Sequence, residues 1–201
     1  MIKMSSRGLV YHFVFEFAVF FFGLGIFMVP SGIPFNWWVI PIVSGLLFLA
    51  ELRRSPRSNV KIALIVGLFL MTFDFAFENT GTLVFGLWGT MGSSLFVLAV
   101  PIEVMLTCFF GGAAWALYIM SVYTMLQARF KDRFNGRLDS YFILLDVLFF
   151  GIGGATAEWC LIQRGVMYYA RGWTSVHAFV SYFGMWGLLH ILLHTLTRKK
   201  R

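Results

Sequence analysis

Apolar runs long enough to cross a bilayer alternate with short polar clusters along most of the chain. A transmembrane helix needs roughly 20 mostly apolar residues. Six segments come close to or exceed that length: 9–30, 34–52, 61–79, 101–126, 141–163 and 175–196. The pattern predicts an all-α integral membrane protein, one domain over 1–201, built as a bundle of six transmembrane helices. Pro101 opens the fourth segment, where the first helical turn tolerates proline. A cleavable leader is not expected, because 9–30 is long enough to span and no small-residue cleavage site follows it.

The stretch 81–100 is also apolar but carries Gly86, Gly89 and Gly92 at its centre. As a seventh span it would reverse the orientation of every later loop. It is expected instead to form an outer-face loop that dips into the membrane as a re-entrant segment, with protein or a cavity covering its backbone.

Charge orients the bundle. Lys3 and Arg7 precede the first segment; Arg53, Arg54, Arg57 and Lys61 separate the second from the third. Arg129, Lys131, Arg133 and Arg137 separate the fourth from the fifth, and Arg198, Lys199, Lys200 and Arg201 follow the sixth. Fourteen of the sixteen basic residues thus fall on one side, leaving Arg164 and Arg171 on the other. The positive-inside rule makes the populated side cytoplasmic. Both termini are expected inside, in the plasma membrane.

Composition agrees: 59% of residues are hydrophobic and 12% charged, against about 25% charged in soluble domains. The net charge of +7 reads as membrane orientation, and no nucleic-acid partner is expected. Cys108 and Cys160 lie in apolar segments without metal-ligand spacing and read as small packing residues. No metal and no cofactor is expected.

Ionisable residues within spans are costly and need a partner or a polar cavity. Seven of the nine acids fall in or beside the predicted spans. Asp74 and Glu78, four residues apart, share a helix face near the outer end of the third span. Glu103 opens the fourth span, Glu158 lies near the outer end of the fifth, and His177 begins the sixth. These five residues are expected to converge on one level. An inner group comprises His12, Glu16, Asp146, His190 and His194, while Glu51 beside Arg53 and Arg54 reads as an interfacial ion pair.

Structural readings stand beside the functional ones. Glu103 could cap its own helix, His190 and His194 could cap carbonyls or hold a metal, and His12 with Glu16 could join helices. Asp74 and Glu78 repel each other when both are charged, so one is expected to keep its proton. Trp88, Trp159, Tyr168, Tyr169 and Trp173 also fall at the outer level. They form either an interfacial belt or the wall of a cavity whose ring faces attract cations.

The run Asp74-Phe75-Ala76-Phe77-Glu78-Asn79-Thr80-Gly81, then Phe85-Gly86-Leu87-Trp88, Val100-Pro101-Ile102-Glu103 and Phe109-Phe110-Gly111-Gly112 resembles the membrane carotenoid cyclases and hydratases. That group includes the lycopene cyclase domain and the bisanhydrobacterioruberin hydratase type. Asp146, Gly151-Ile152-Gly153-Gly154, Glu158 and Gly172-Trp173 extend the likeness more faintly. The chain departs from it at Val104, where the cyclases tend to carry a second acid.

The resemblance implies an isoprenoid substrate drawn from the lipid bilayer and acid catalysis without a cofactor. Asp74 or Glu78 would donate the proton, and Glu103 and Glu158 would offset developing charge or accept a proton. Trp88, Trp159, Tyr169, Trp173 and His177 would line the substrate. A proton- or cation-coupled transporter and a non-catalytic membrane subunit are the alternatives. The Gly-rich spans fit close helix packing in each case, and a homo-oligomer is compatible with all three.

Overall fold

The computed structural model describes residues 35–93, 95–130 and 138–198. The first predicted span, with His12 and Glu16, lies outside them, as do the basic clusters at 3–7, 131–137 and 199–201. The described chain is mostly helical: α1 (Val39–Leu52), α2 (Arg57–Asn79), α3 (Ile102–Phe130), α4 (Leu138–Gln163) and α5 (Ser175–Arg198). Four of these are long and apolar enough to cross a membrane, over Arg57–Phe85, Ile102–Val122, Ser140–Gln163 and Ser175–Thr197.

The remaining helix is shorter than the sequence suggests. The segment 34–52 becomes helical only at Val39, giving 14 residues, or about 21 Å at 1.5 Å per residue. Trp37 and Trp38 form the turn that precedes it, with Val39 N–H donating to the Asn36 carbonyl. At its other end the exposed Arg53–Arg54 pair follows, and Pro56, extended at ψ 143°, starts α2.

α3 is the most enclosed helix, and its Ala113–Leu117 run is buried throughout. It packs against α1 on one side and α2 on the other, while α4 and α5 pack against each other. The α2–α3 approach is closest at Gly67 and Gly112. A side chain on Gly67 would overlap the Phe109 carbonyl oxygen, and one on Gly112 would meet Leu70 at 3.0 Å. Small residues permit this backbone proximity. Trp186, Leu189 and Leu193 of α5 complete the same apolar core.

The segment 81–100 is not a seventh helix in its described residues. α2 runs into a π-helical turn, Thr80–Phe85, which Gly86 ends in the left-handed conformation at φ +60°. The chain then turns back through β1 (Trp88–Thr90), β2 (Phe96–Val97) and β3 (Val100–Pro101). β2 and β3 form a small hairpin, and β1 pairs antiparallel with β4 (Met167–Tyr169) from the α4–α5 connection. Met91 N–H to Val166 and Ala170 N–H to Leu87 lengthen that ladder. The β1–β4 pair therefore ties the α2–α3 loop to the α4–α5 loop over one end of the bundle.

Candidate functional site

Under the β1–β4 pair lies a cleft of about 410 Å³ between α2, α4 and α5. Asp74 and Glu78 reach it from α2 and Glu158 from α4. The i, i+4 spacing that put the first two on one face is thus used as expected, and Glu158 joins them from the facing helix. Among the described residues no Lys, Arg or His lines the cleft. Phe73, Phe77, Trp88, Trp173 and Tyr182 supply aromatic walls, with Ala178, Met185 and Leu188 among the aliphatic ones.

Two of the three carboxyl groups have a hydrogen-bond donor. Trp88 Nε1 donates to Glu78 Oε2 at 2.6 Å. The Tyr169 hydroxyl donates to Glu158 Oε2 at 2.5 Å, and the Tyr182 side chain lies near the same carboxyl group. Cys108 of α3 lies beside Asp74, whose Oδ2 is buried without a protein partner. Trp88 and Tyr169 are cross-strand partners, so one rung of the β1–β4 ladder orients carboxyl groups from two different helices. Burial, and then the bond to Glu158, push the Tyr169 hydroxyl well above its ordinary range. It remains a donor throughout the physiological pH range.

Two glycines make these contacts possible. The Trp88 indole lies against Gly81, where any Cβ would overlap its six-membered ring. The Tyr182 ring lies across Gly154, where a Cβ would sit 2.5 Å from it. Gly154 and Glu158 are four residues apart on one face of α4, so Tyr182 crosses the first to reach the second.

The indole also joins a run of stacked rings. Phe69, Phe73 and Phe77 follow one row of α2 at 6.0 and 6.4 Å; Phe77 meets Trp88 at 5.4 Å, and Trp88 meets Trp173 at 4.5 Å. His177 stacks on Trp173 at 5.2 Å, with Nδ1 2.8 Å from Thr174 Oγ1. His177 itself is exposed and supports Trp173 from outside the lining.

Other expected site residues lie elsewhere. Glu103 is 1% exposed, but its carboxylate accepts a hydrogen bond from Ser93 Oγ at 2.8 Å and is not part of the cleft lining. The reason is helical phase. Cys108 faces Asp74 from α3, and five residues of helix turn Glu103 about 140° away from that side. Glu103 thus anchors the 86–101 loop. Trp159, one residue beyond Glu158, points outward at 53% exposure and is not part of the lining. Tyr169 acts on Glu158 from above and does not line the cleft.

The inner acids and histidines resolve differently from either expectation for them. Asp146 Oδ2 lies 2.7 Å from His190 Nε2 and accepts a 3.0 Å bond from Trp115 Nε1. The Trp115 and His190 rings meet edge to face at 4.9 Å. This buried cluster joins α3, α4 and α5, whereas His194 is exposed. Glu51 is buried at the end of α1. Among the described residues no group of three or more His, Cys, Asp or Glu could hold a metal.

Tyr182, in the lining, and Cys108, beside Asp74, are the residues of this region that sequence reasoning missed. Tyr182 is the sole tyrosine of the last span, and Gly154 one turn before Glu158 marks the space it occupies. No protein-family model, curated protein or solved structure matches the chain. The functional reading therefore rests on the chemistry of the cleft.

Proposed function

We propose that this chain is a membrane-embedded isoprenoid cyclase or hydratase that protonates an alkene with a carboxylic acid. The observation that carries the reading is a largely apolar cleft lined by Asp74, Glu78 and Glu158 together with Trp88 and Trp173. Three carboxyl groups with no cation in the lining hold protons as well as charge. A protonated acid in an apolar site is a proton donor, and aromatic faces stabilise a cation beside them.

In this scheme the Asp74–Glu78 pair supplies the proton. The acid O–H bond breaks as a C–H bond forms on the less substituted alkene carbon, leaving a tertiary carbocation and a carboxylate. In cyclisation a second double bond attacks the cation, forming a C–C bond, and Glu158 removes a proton to restore an alkene. In hydration a water molecule attacks instead, and its proton passes to Glu158. The Tyr169 hydroxyl, which donates to Glu158, suits that carboxyl to carrying the charge. Transfer of its proton back to the pair completes either cycle.

The likeness to membrane carotenoid cyclases and hydratases supports the same chemistry. For topology we adopt six spans with both termini cytoplasmic in the plasma membrane, supported by the sorting of basic residues. The exposed apolar hairpin Leu95–Leu98 fits a loop that dips into the outer leaflet. A polar path to the inner Asp146–His190 cluster would favour transport. Instead Phe150 and Trp186, each four residues outward from that pair, stack at 4.1 Å.

The test is expression in a lycopene-accumulating bacterial host, with pigments separated by chromatography and weighed by mass spectrometry. Cyclisation gives a new product of unchanged mass, and hydration a gain of one water. Glu78→Gln and Glu158→Gln should each remove the product while the protein stays folded in the membrane. Product formation that survives both substitutions would sink the mechanism.

A further inference from the structure

The cleft is too small for a whole long-chain isoprenoid, and among the described residues one of its walls has a gap. With the roughly 30 Å³ that one water occupies in the liquid as the share of one heavy atom, its roughly 410 Å³ takes on the order of a dozen carbon groups. A ten-carbon chain, at about 300 Å³ by the same measure, fits inside. A twenty-carbon chain, at about 600 Å³, does not. A longer substrate must leave part of itself outside.

The gap is at Gly184. Val180, Gly184 and Leu188 follow one another at four-residue intervals, so they form one row along α5. All three line the cleft and all three are also exposed, Val180 at 61% and Leu188 at 45%. That row is therefore the rim. Opposite it on α2 stand Phe73 and Phe77, Phe77 being exposed as well. A Cβ built on Gly184 meets nothing within 4 Å, unlike those on Gly81 or Gly154. No neighbour requires a glycine there, and its backbone is ordinary helix. The missing side chain does one visible thing, which is to notch the rim at its middle.

We propose that Gly184 is a specificity-determining residue, the portal through which a long isoprenoid chain passes from the cleft to the bilayer. The reacting end lies under Trp88 and Trp173, and the tail crosses the rim between Val180 and Leu188. This rests on the isoprenoid reading of the cleft and adds to it a ligand longer than the space that encloses its reacting end.

The experiment is equilibrium binding of geraniol, with ten carbons, and geranylgeraniol, with twenty, to the detergent-solubilised full chain, followed by tryptophan fluorescence. Wild type should bind the longer alcohol more tightly. Gly184→Phe should weaken geranylgeraniol at least tenfold and leave geraniol within twofold, at unchanged thermal stability. Val180→Trp, which narrows the same rim from an exposed position, should act in the same direction. Equal loss of both alcohols, or no change in either, would overturn the portal while leaving the isoprenoid site standing. Failure of wild type to bind either alcohol would overturn the isoprenoid reading and the portal together.

Discussion

Replacing Gly81 by alanine isolates the contact on which the cap of the site depends. The backbone at Gly81 accepts alanine, since its φ is not positive, so the effect is steric. The new methyl would overlap the Trp88 ring. Restoring ordinary carbon contact of about 3.5–4.0 Å moves the indole by more than about 1 Å. That displacement breaks the 2.6 Å bond to Glu78, because hydrogen bonds weaken steeply beyond roughly 3.2 Å. Overpacking of this kind costs about 1–3 kcal/mol. Hydrogen bonds inside membranes average about 0.6 kcal/mol, so the bond adds less than the packing. The expected loss is about 2–3 kcal/mol, measured by unfolding in mixed micelles and accompanied by a change in tryptophan emission. A double-mutant cycle decides the cause. In a Trp88→Ala background the methyl has room, and Gly81→Ala should be neutral or mildly stabilising. An equal cost in both backgrounds would refute the argument, because the methyl would then be clashing with something other than the indole.

Asp146→Leu alone should destabilise by about 1–3 kcal/mol by stranding Trp115 and His190, whereas Asp146→Leu with His190→Leu should recover much of that loss; unfolding in mixed micelles reads both. Tyr169 is held protonated in the folded protein, so its contribution is fully present below its ordinary value near 10 and is lost as pH rises above it. A melting-temperature profile from pH 8 to 11 should therefore fall at the alkaline end in wild type and fall less in Tyr169→Phe; identical profiles would contradict the assignment. Glu103→Ala should loosen the 86–101 loop, seen as faster amide exchange at 91–99, while Glu103→Gln keeps an acceptor for Ser93 and should exchange nearly as wild type. If Glu103→Gln instead abolished product formation at unchanged exchange, Glu103 would belong to the chemistry.

The helices were legible because their signal is local: apolar length, bounded by arginines or by proline. The Asp74–Glu78 pair was legible for the same reason, since four residues of helix bring two side chains to one face. Glu158 was found by depth, counted from the end of its span. Depth without rotation misleads, however, and Glu103 shows how. It is close to the right level but turned away from the cleft, and only the packing of α3 against α2 fixes that rotation. Trp159 fails similarly, being one residue from Glu158 and on another face. Tyr182 and Cys108 went unseen because their partners lie on other helices. The same is true of His190, whose helical neighbour His194 suggested a local pairing while Asp146, 44 residues earlier, provides the actual one. The β1–β4 rung was invisible for a further reason: three-residue strands carry too little alternation to register against an apolar background.

The division of the acids between the two ends of the chain bears on how the protein is made. Asp74, Glu78 and Trp88 belong to the part that packs around α3, while Glu158, Tyr169 and Tyr182 belong to the α4–α5 unit. Membrane helices are delivered from the ribosome in chain order, so the first set is in the bilayer before the second has been synthesised. During that interval Glu78 has its indole donor but no facing wall, and the nascent chain holds an acid without an enclosed space in which to use it. The cleft is complete only with β4 paired to β1. On the proposed reading, an incomplete chain carries its acids without the cleft that would use them, and the last span completes it.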